Sequence, residues 1–405
     1  MVARMPAAER SIGSSLSSAE RRWSLTAAIS CVTVFGLGIG LGGPLLSLML
    51  EGRGIDTTLN GLNAASTFLG VIVGPLLTPT LVRRLGLRPL MFACLAADGA
   101  LFLLMKTFDG FAAWFFLRGA LGFFGSTLFT ATEALINVTA SDKQRGRVIA
   151  FYAASLSAGF GVGPLLLSLT GFQGWTPFLA GAALNLLAAV PLVFVHDATR
   201  DLGSGPRAHP LHTFLRAPEI VLAAGMFGLY ETAVLALLPI WGVRIGFDAR
   251  LSASALSAIY FGAIALQIPI GWLSDRISRL AALRLCAFSG LLGAALVPPL
   301  AEATANASIP LFILLFLWGG LTSGLYPVAL SIVGDRFRNA ELVSANAALI
   351  TAYGLGSLVG PVIGGAAMDV WNPHGLLAVL ALIFALFLAS TFAGQRMRRT
   401  LERRT

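Results

Sequence analysis

Between Ile220 and Arg244 the chain is apolar apart from one acid, Glu231, in the stretch GLYETAVLALLPIWG. A second apolar run carries charge in a pattern: Arg118, Gly122, Ser126, Thr130, Glu133 and Asn137 follow one another at steps of three or four. On a helix they form one stripe with two charges and three neutral polar groups. A charged side chain at the centre of a membrane helix costs about 2.5–3.5 kcal/mol on insertion scales, so it is seldom kept without a use. Lipid would not tolerate the stripe, whereas water or a polar solute would. Burial works against the charged form of a carboxyl, so such a group can carry a proton or face a cationic solute, depending on which side the water comes from. Glu231 and Glu133 are therefore expected to be the titrating groups, with Arg118 tuning Glu133. Ser126 and Thr130 are expected to line a cavity beside them. Asp98, in a third apolar run, is given a local structural role.

These side chains need elements that hold them inside a membrane. Of 405 residues, 56% are hydrophobic and 12% charged, about half the roughly 25% of a soluble domain. Such a chain cannot present a polar surface to water. Apolar runs of about 20 residues, each long enough to cross a bilayer, fall near 25–50, 58–82, 89–107, 111–138, 148–170, 175–196, 220–243, 253–274, 281–301, 309–333, 345–369 and 375–394. The fold class expected is an all-α membrane protein of twelve transmembrane helices in two six-helix bundles. A polar tail over 1–23 precedes the first bundle at 24–196; a linker at 197–219 joins it to the second bundle at 220–394, and a tail at 395–405 follows. The first run, Leu25 to Leu50, exceeds the 7–15 residues of a signal-peptide core and reads as a retained span.

The net charge of +9 lies in short loops rather than on one face, which argues against nucleic acid as a partner. With the N-terminus cytoplasmic, that side collects 23 of the 28 Lys and Arg residues; Arg53, Lys106, Arg244 and Arg250 face outward and Arg118 lies within a span. The positive-inside rule then puts both termini in the cytoplasm. Cys31, Cys94 and Cys286 all sit in apolar runs and read as small buried hydrophobes. The four histidines form no ligand cluster, so no metal and no cofactor is expected. Six of the seven tryptophans fall near span ends, as an aromatic belt would. The seventh, Trp318, can join Tyr230 and Tyr326 in a cavity surface for an apolar or cationic solute, or serve as packing.

The two halves are related. A shift of 192 positions takes Phe35-Gly36-Leu37 to Phe227-Gly228-Leu229, Gly54 to Gly246, Asp56 to Asp248, Gly70 to Gly262 and Arg84 to Arg276. A constant offset over two spans and their loops signals an internal repeat, and parallel six-span repeats are a transporter architecture.

The loop GWLSDRISR, Gly271 to Arg279, resembles the Gly-x-Leu-Ala-Asp-Arg-x-Gly-Arg pattern of the major facilitator superfamily. Its counterpart PTLVRRLGLR, Pro79 to Arg88, departs in Pro79, Val82 and Arg83, which stands where the family has Asp. That resemblance implies a cytoplasmic gate in which the loop acid pairs with a helix start in the opposite half. Here the signs can be exchanged, Arg83 with Glu341 and Asp275 with Arg145 or Arg147, beside Arg84 and Arg276. Span 5 offers Gly159-x3-Gly163-Pro164 and span 11 the full Gly356-x3-Gly360-Pro361-x2-Gly364-Gly365 of an antiporter signature; small residues at this spacing also serve helix packing, and proline bends a helix. Within the superfamily, RGxxG followed by Glu133, TASDKQRGRV, GLYExxxxxLLP and GLYPxALxxxGDR resemble the YcaD-like group of bacterial transporters.

The function expected is secondary active transport by alternating access, as proton-coupled export of a small amphiphilic or cationic solute by a monomer in the lipid bilayer. The alternatives are an importer of a metabolite such as a sugar or organic acid, with Arg118 binding an anion, and a non-transporting membrane sensor. An enzyme is not expected, because no nucleophile, metal set or acid/base pair clusters at a membrane face. A nucleotide-driven pump would require a Gly-x4-Gly-Lys-Ser/Thr loop, which the sequence lacks.

Overall fold

The structure, a computed structural model, describes residues 17–140, 145–195, 217–303 and 309–402. Among these residues all regular structure is helical: α1 (Ser18–Glu51), α2 (Thr57–Leu85), α3 (Leu87–Thr107), α4 (Phe111–Thr139), α5 (Arg145–Thr170), α6 (Thr176–Leu192), α7 (Pro218–Arg244), α8 (Ala249–Arg276), α9 (Arg279–Ala303), α10 (Ile309–Ser323), α11 (Leu325–Arg336), α12 (Asn339–Val370) and α13 (Gly375–Glu402). In a bilayer every backbone polar group must be satisfied within the chain, which an apolar helix does by itself. Helices α10 and α11 are one crossing interrupted at Gly324, where a Cβ would lie 2.7 Å from Cys286 Sγ and Ile270 Cγ2. Among the described residues eleven crossings are long and apolar enough to span a membrane, and the apolar but shorter α6, of 17 residues, makes the twelfth. The chain is a multi-pass membrane protein.

Helix boundaries follow local chemistry. Proline occupies the first turn of α6 and α7, where no amide hydrogen is needed. One residue, Gly86 at φ 88°, joins α2 to α3 in the left-handed region that glycine alone enters freely. Asp248 caps α8 by accepting a 2.7 Å hydrogen bond from Leu251 N.

Two units can be distinguished, one of residues 1–43 and 66–204, the other of 44–65 and 205–405. The end of α1 and the start of α2 fall within the second unit.

In the first unit, Ala27, Cys31, Met91, Cys94, Leu128 and Ile136 form part of one buried cluster. Lipid removes most of the hydrophobic incentive for helices to associate, so close backbone approach has to supply the packing. Glycine provides it. A Cβ on Gly36 would stand 2.5 Å from Leu156 O, one on Gly159 2.5 Å from Thr33 O, and one on Gly163 2.6 Å from Gly40 C, so α1 and α5 touch along their backbones. Likewise α2 and α4 meet where a Cβ on Gly70 would lie 2.0 Å from Gly119 O.

The second unit repeats both contacts. Gly228, the repeat partner of Gly36, would carry a Cβ 2.2 Å from Tyr353 O, and Gly356 one 1.8 Å from Gly225 O, joining α7 to α12. Gly262, the partner of Gly70, would meet Phe316 O at 1.9 Å, joining α8 to α10. Glycines that the sequence relates by a fixed offset do the same packing work in each unit.

The segment 44–65 is docked on this second unit by polar contacts. Asp369, near the end of α12, accepts from Thr57 N at 3.0 Å and Thr58 N at 2.8 Å, and from both threonine hydroxyls. Glu51 receives a two-pronged hydrogen bond from Arg244 (2.7 and 3.0 Å), whose third nitrogen reaches Asn372 at 3.1 Å. Backbones touch here too, since a Cβ on Gly61 would lie 2.0 Å from Pro361 O.

Candidate transport site

Glu231 is the middle residue of the 27-residue α7, about 20 Å of helical rise from either end. It is half-buried. Because Gly228 lets α12 come into backbone contact one turn below, the Tyr353 hydroxyl reaches the acid and donates to its Oε2 at 2.7 Å. Thr232 ties the same helices together, donating to Ser357 O at 3.0 Å.

Phe227, one turn before Glu231, extends this face. Its ring centroid lies 6.0 Å from Tyr353 and 6.1 Å from Tyr326, and the two tyrosine rings are 5.6 Å apart. Phe227, Glu231, Tyr326 and Tyr353 are all half-buried, so three rings from α7, α11 and α12 and one carboxylate share an accessible patch of the second unit. Tyr230 and Trp318 lie behind it. Trp318 is 2% exposed, donates from Nε1 to Gly290 O at 3.1 Å and meets Tyr230 edge-on at 5.3 Å. Room for its indole comes from Gly293, where a Cβ would be 2.0 Å from Trp318 Cδ1. Of the three aromatic residues expected at the cavity, only Tyr326 has an accessible side chain.

The span 4 stripe is divided. Arg118 is 4% exposed, with Nε 3.4 Å from Thr67 Oγ1. A Cβ on Gly122 would stand 1.9 Å from Thr67 O, and Ser126 donates to Phe123 O at 3.2 Å. This part of α4 is therefore covered by α2, which approaches through Gly70 and Gly74. Beyond it, Thr130 is half-buried and donates to Ser126 O at 2.9 Å, while Glu133 is exposed. The Asn137 side chain lies outside the described residues. Fifteen positions along one helix separate Arg118 from Glu133, about 22 Å of rise, so no direct contact along α4 lets the arginine tune the acid. Asp98 is 6% exposed, and its Oδ1 has no hydrogen-bond partner among the described residues.

The expected gate residues stand at helix ends, each within its own unit. Arg83 and Arg84 close α2, and Arg83 donates to Thr80 Oγ1 at 3.2 Å. Asp275 and Arg276 close α8, with the Arg276 guanidinium 3.9 Å above the Trp272 ring. Arg145 opens α5, its side chain outside the described residues, and Glu341 lies in the first turn of α12. Gly159, Gly163 and Pro164 face α1, whereas Gly356 and Gly360 face α7 and Pro361 faces Gly61.

Sequence reasoning missed Tyr353 and Asp369. Both had a signal: Tyr353 interrupts an apolar span three residues before the Gly356 motif, and Asp369 is the last acid of that span. Neither spacing says which helix lies opposite.

The family described as the Major Facilitator Superfamily matches this chain over residues 28–308 and again over 220–403. Among curated relatives, the uncharacterized MFS-type transporter YfkF of Bacillus subtilis is 24% identical across 87% of this chain and 90% of its own length. The uncharacterized MFS-type transporter YcaD of Escherichia coli is 26% identical across 89% of this chain and 93% of its own. Two solved structures share the fold at lower identity. The nucleoside transporter NupG has a TM-score of 0.72 at 12% identity, covering 93% of this chain and 98% of that one. A bacterial homologue of the human lysosomal transporter Spinster, inward-facing and unoccupied, has 0.70 at 13%, covering 93% and 95%. Twelve crossings, glycine contacts repeated between the halves and family matches along nearly the whole chain lead to one conclusion: this chain belongs to the major facilitator superfamily of membrane transporters, in which it is similar to the YcaD-like group.

Proposed function

We propose that the chain is a proton-coupled exporter of small amphiphilic or cationic solutes, acting as a monomer in the bacterial inner membrane with both termini in the cytoplasm. The observation that carries this reading is Glu231, a carboxyl at mid-helix whose hydrogen bond comes from a neutral tyrosine and beside which three aromatic rings are accessible. Among the described residues no cation forms an ion pair with it. An acid so placed is available to a proton or to a cationic solute, and alternating access presents it to each side in turn. Glu133, exposed on the first unit, is proposed as a second proton-binding group, with Thr130 beside it. The excess of Lys and Arg in alternate loops supports the orientation. An importer of organic acids would rest its anion on Arg118, and the burial of that side chain against α2 weighs against it.

The test is purified protein in proteoliposomes under an imposed pH gradient, with solute uptake and internal pH recorded together. Wild type is expected to move protons against solute, and Glu231→Gln to lose the coupling. Equal transport and an unchanged pH profile in Glu231→Gln would sink the assignment, and movement of no solute across a broad panel would turn attention to the sensor.

A further inference from the structure

Two helix starts of the first unit converge on the two residues that follow α6. Arg88, in the first turn of α3, donates from Nη2 to Val193 O at 2.7 Å and lies near the Phe92 ring, with Cζ 5.8 Å from its centroid. Trp23, in the second turn of α1, stacks on Phe194 with ring centroids 4.5 Å apart. Both of these rings are open to the surroundings, Trp23 42% and Phe194 52% exposed, and the adjacent Arg22 is exposed as well. Arg88 is half-buried, and among the described residues neither it nor Arg22 is paired with a carboxylate. The neighbouring acid on α1, Glu20, accepts from Ser17 N at 2.8 Å.

The bland role of Arg88 is to hold the end of α6, and one N–H does that. A guanidinium carries five donors in a planar fork that matches a phosphate. Beyond the rings, Val193, Val190, Leu187 and Leu186 continue an exposed apolar strip along α6. Tryptophan is enriched where a span meets the headgroup layer. Arginines, aromatic rings and an apolar strip therefore follow one another as phosphate, glycerol and acyl chain do in a phospholipid. A soluble anion would engage the arginines alone and leave the rings and the strip without a role. The second unit repeats the plan on the corresponding helices: Arg284 of α9 donates from Nη2 to Thr391 O of α13 at 2.6 Å, with Cζ 4.1 Å from the centroid of the exposed Phe392 ring.

We infer that Arg22, Trp23, Arg88 and Phe194 form a binding site for the headgroup of an anionic phospholipid, which braces the starts of α1 and α3 against the end of α6. The arginines take the phosphate and the rings take the glycerol end of the chains. From the proposed function the inference uses only the orientation, which makes the leaflet the cytoplasmic one; it involves neither Glu231 nor proton coupling.

The experiment uses the full chain, purified and delipidated in dodecyl maltoside, with phosphatidylglycerol as the probe and phosphatidylethanolamine of the same acyl chains as the zwitterionic control. Retained lipid is counted by native mass spectrometry across a titration, and the melting temperature is recorded beside it. Arg22→Gln and Arg88→Gln are each expected to weaken phosphatidylglycerol binding about fivefold, the worth of one basic residue beside an anionic headgroup, and to leave phosphatidylethanolamine unchanged. In wild type the tightest phosphatidylglycerol is expected to be held about ten- to thirtyfold more firmly than the control, the product of two such contributions. The two substitutions together are expected to remove one retained phosphatidylglycerol per chain and to lower the rise in melting temperature that this lipid gives by binding the folded state. Arg250→Gln, at the start of α8, is expected to change nothing, which separates the site from overall charge. If Arg88→Gln also loosens the end of α6 and melts lower without lipid, the exposed Arg22 carries the test alone. Equal retention of the two lipids, wild-type affinity in Arg22→Gln, or displacement of phosphatidylglycerol by millimolar glycerol 3-phosphate would each overturn the inference, the last by revealing a site for soluble anions. No step of transport is measured, so the exporter reading stands or falls separately.

Discussion

Gly228 and Glu231 occupy neighbouring turns of α7, and their contributions separate by substitution. Gly228→Val puts branched carbon where a Cβ is already 2.2 Å from Tyr353 O. It is expected to force α7 from α12, destabilise the protein by about 1–3 kcal/mol as overpacking does, and break the Tyr353–Glu231 hydrogen bond. Glu231→Gln keeps the volume and is expected to leave the melting temperature near wild type while abolishing coupling. Thermal unfolding in detergent beside transport checks both; a Gly228→Val protein as stable as wild type would contradict the packing. The corresponding contrast in the first unit is Gly36 against Gly38. A Cβ on Gly36 meets backbone at 2.5 Å, and one on Gly38 meets only Phe102 Cε2 at 3.8 Å. Gly36→Ala is expected to lower the melting temperature and Gly38→Ala to leave it or raise it slightly, since alanine favours the helix.

At the level of elements, the two repeats begin their second helix differently. In α8 the cap comes from the preceding residue, Asp248; in α2, whose repeat counterpart is Asp56, the first two amides are bound by Asp369 from α12. Asp248→Ala is therefore expected to fray α8 locally, at about 1 kcal/mol. Asp369→Ala is expected to expose the start of α2 and the end of α12 together. Hydrogen exchange read by mass spectrometry distinguishes them: protection is lost in one segment for the first variant and in two distant segments for the second. Glu51 and Arg244, 17% and 20% exposed, make a partly buried pair in which removing one partner leaves an uncompensated charge. Either Glu51→Arg or Arg244→Glu alone is expected to reduce stability, and the double swap to recover most of it.

What the sequence disclosed follows from the same physics. Crossings were legible because a bilayer demands about 20 apolar residues, and the repeat because Gly36 and Gly70 recur at Gly228 and Gly262. Glu231 stood out because an acid in an apolar run is conspicuous without knowledge of its neighbours. The fate of the α4 stripe was not legible: periodicity places Arg118, Ser126 and Glu133 on one face, but only the approach of α2 at Gly70 and Gly74 decides which part of that face is covered. Tyr353 was hidden for a similar reason, because its hydroxyl matters only once two glycine-bearing helices touch. Trp318 suggested a cavity wall by its depth, and Gly293 on α9 turned out to be its socket.

For the molecule as a whole, the line dividing its packing does not coincide with the line dividing its repeat. Residues 44–65 are encoded in the first half and packed with the second. Chimaeras that join residues 1–204 to the latter half of a relative would leave Thr57, Thr58 and Glu51 opposite foreign surfaces. Grafts in which the 44–65 stretch accompanies 205–405 keep Asp369 and Arg244 matched. Such three-junction hybrids are expected to reach the membrane in greater yield than single-junction ones, so the hairpin, rather than the central linker, defines the unit of exchange between homologues.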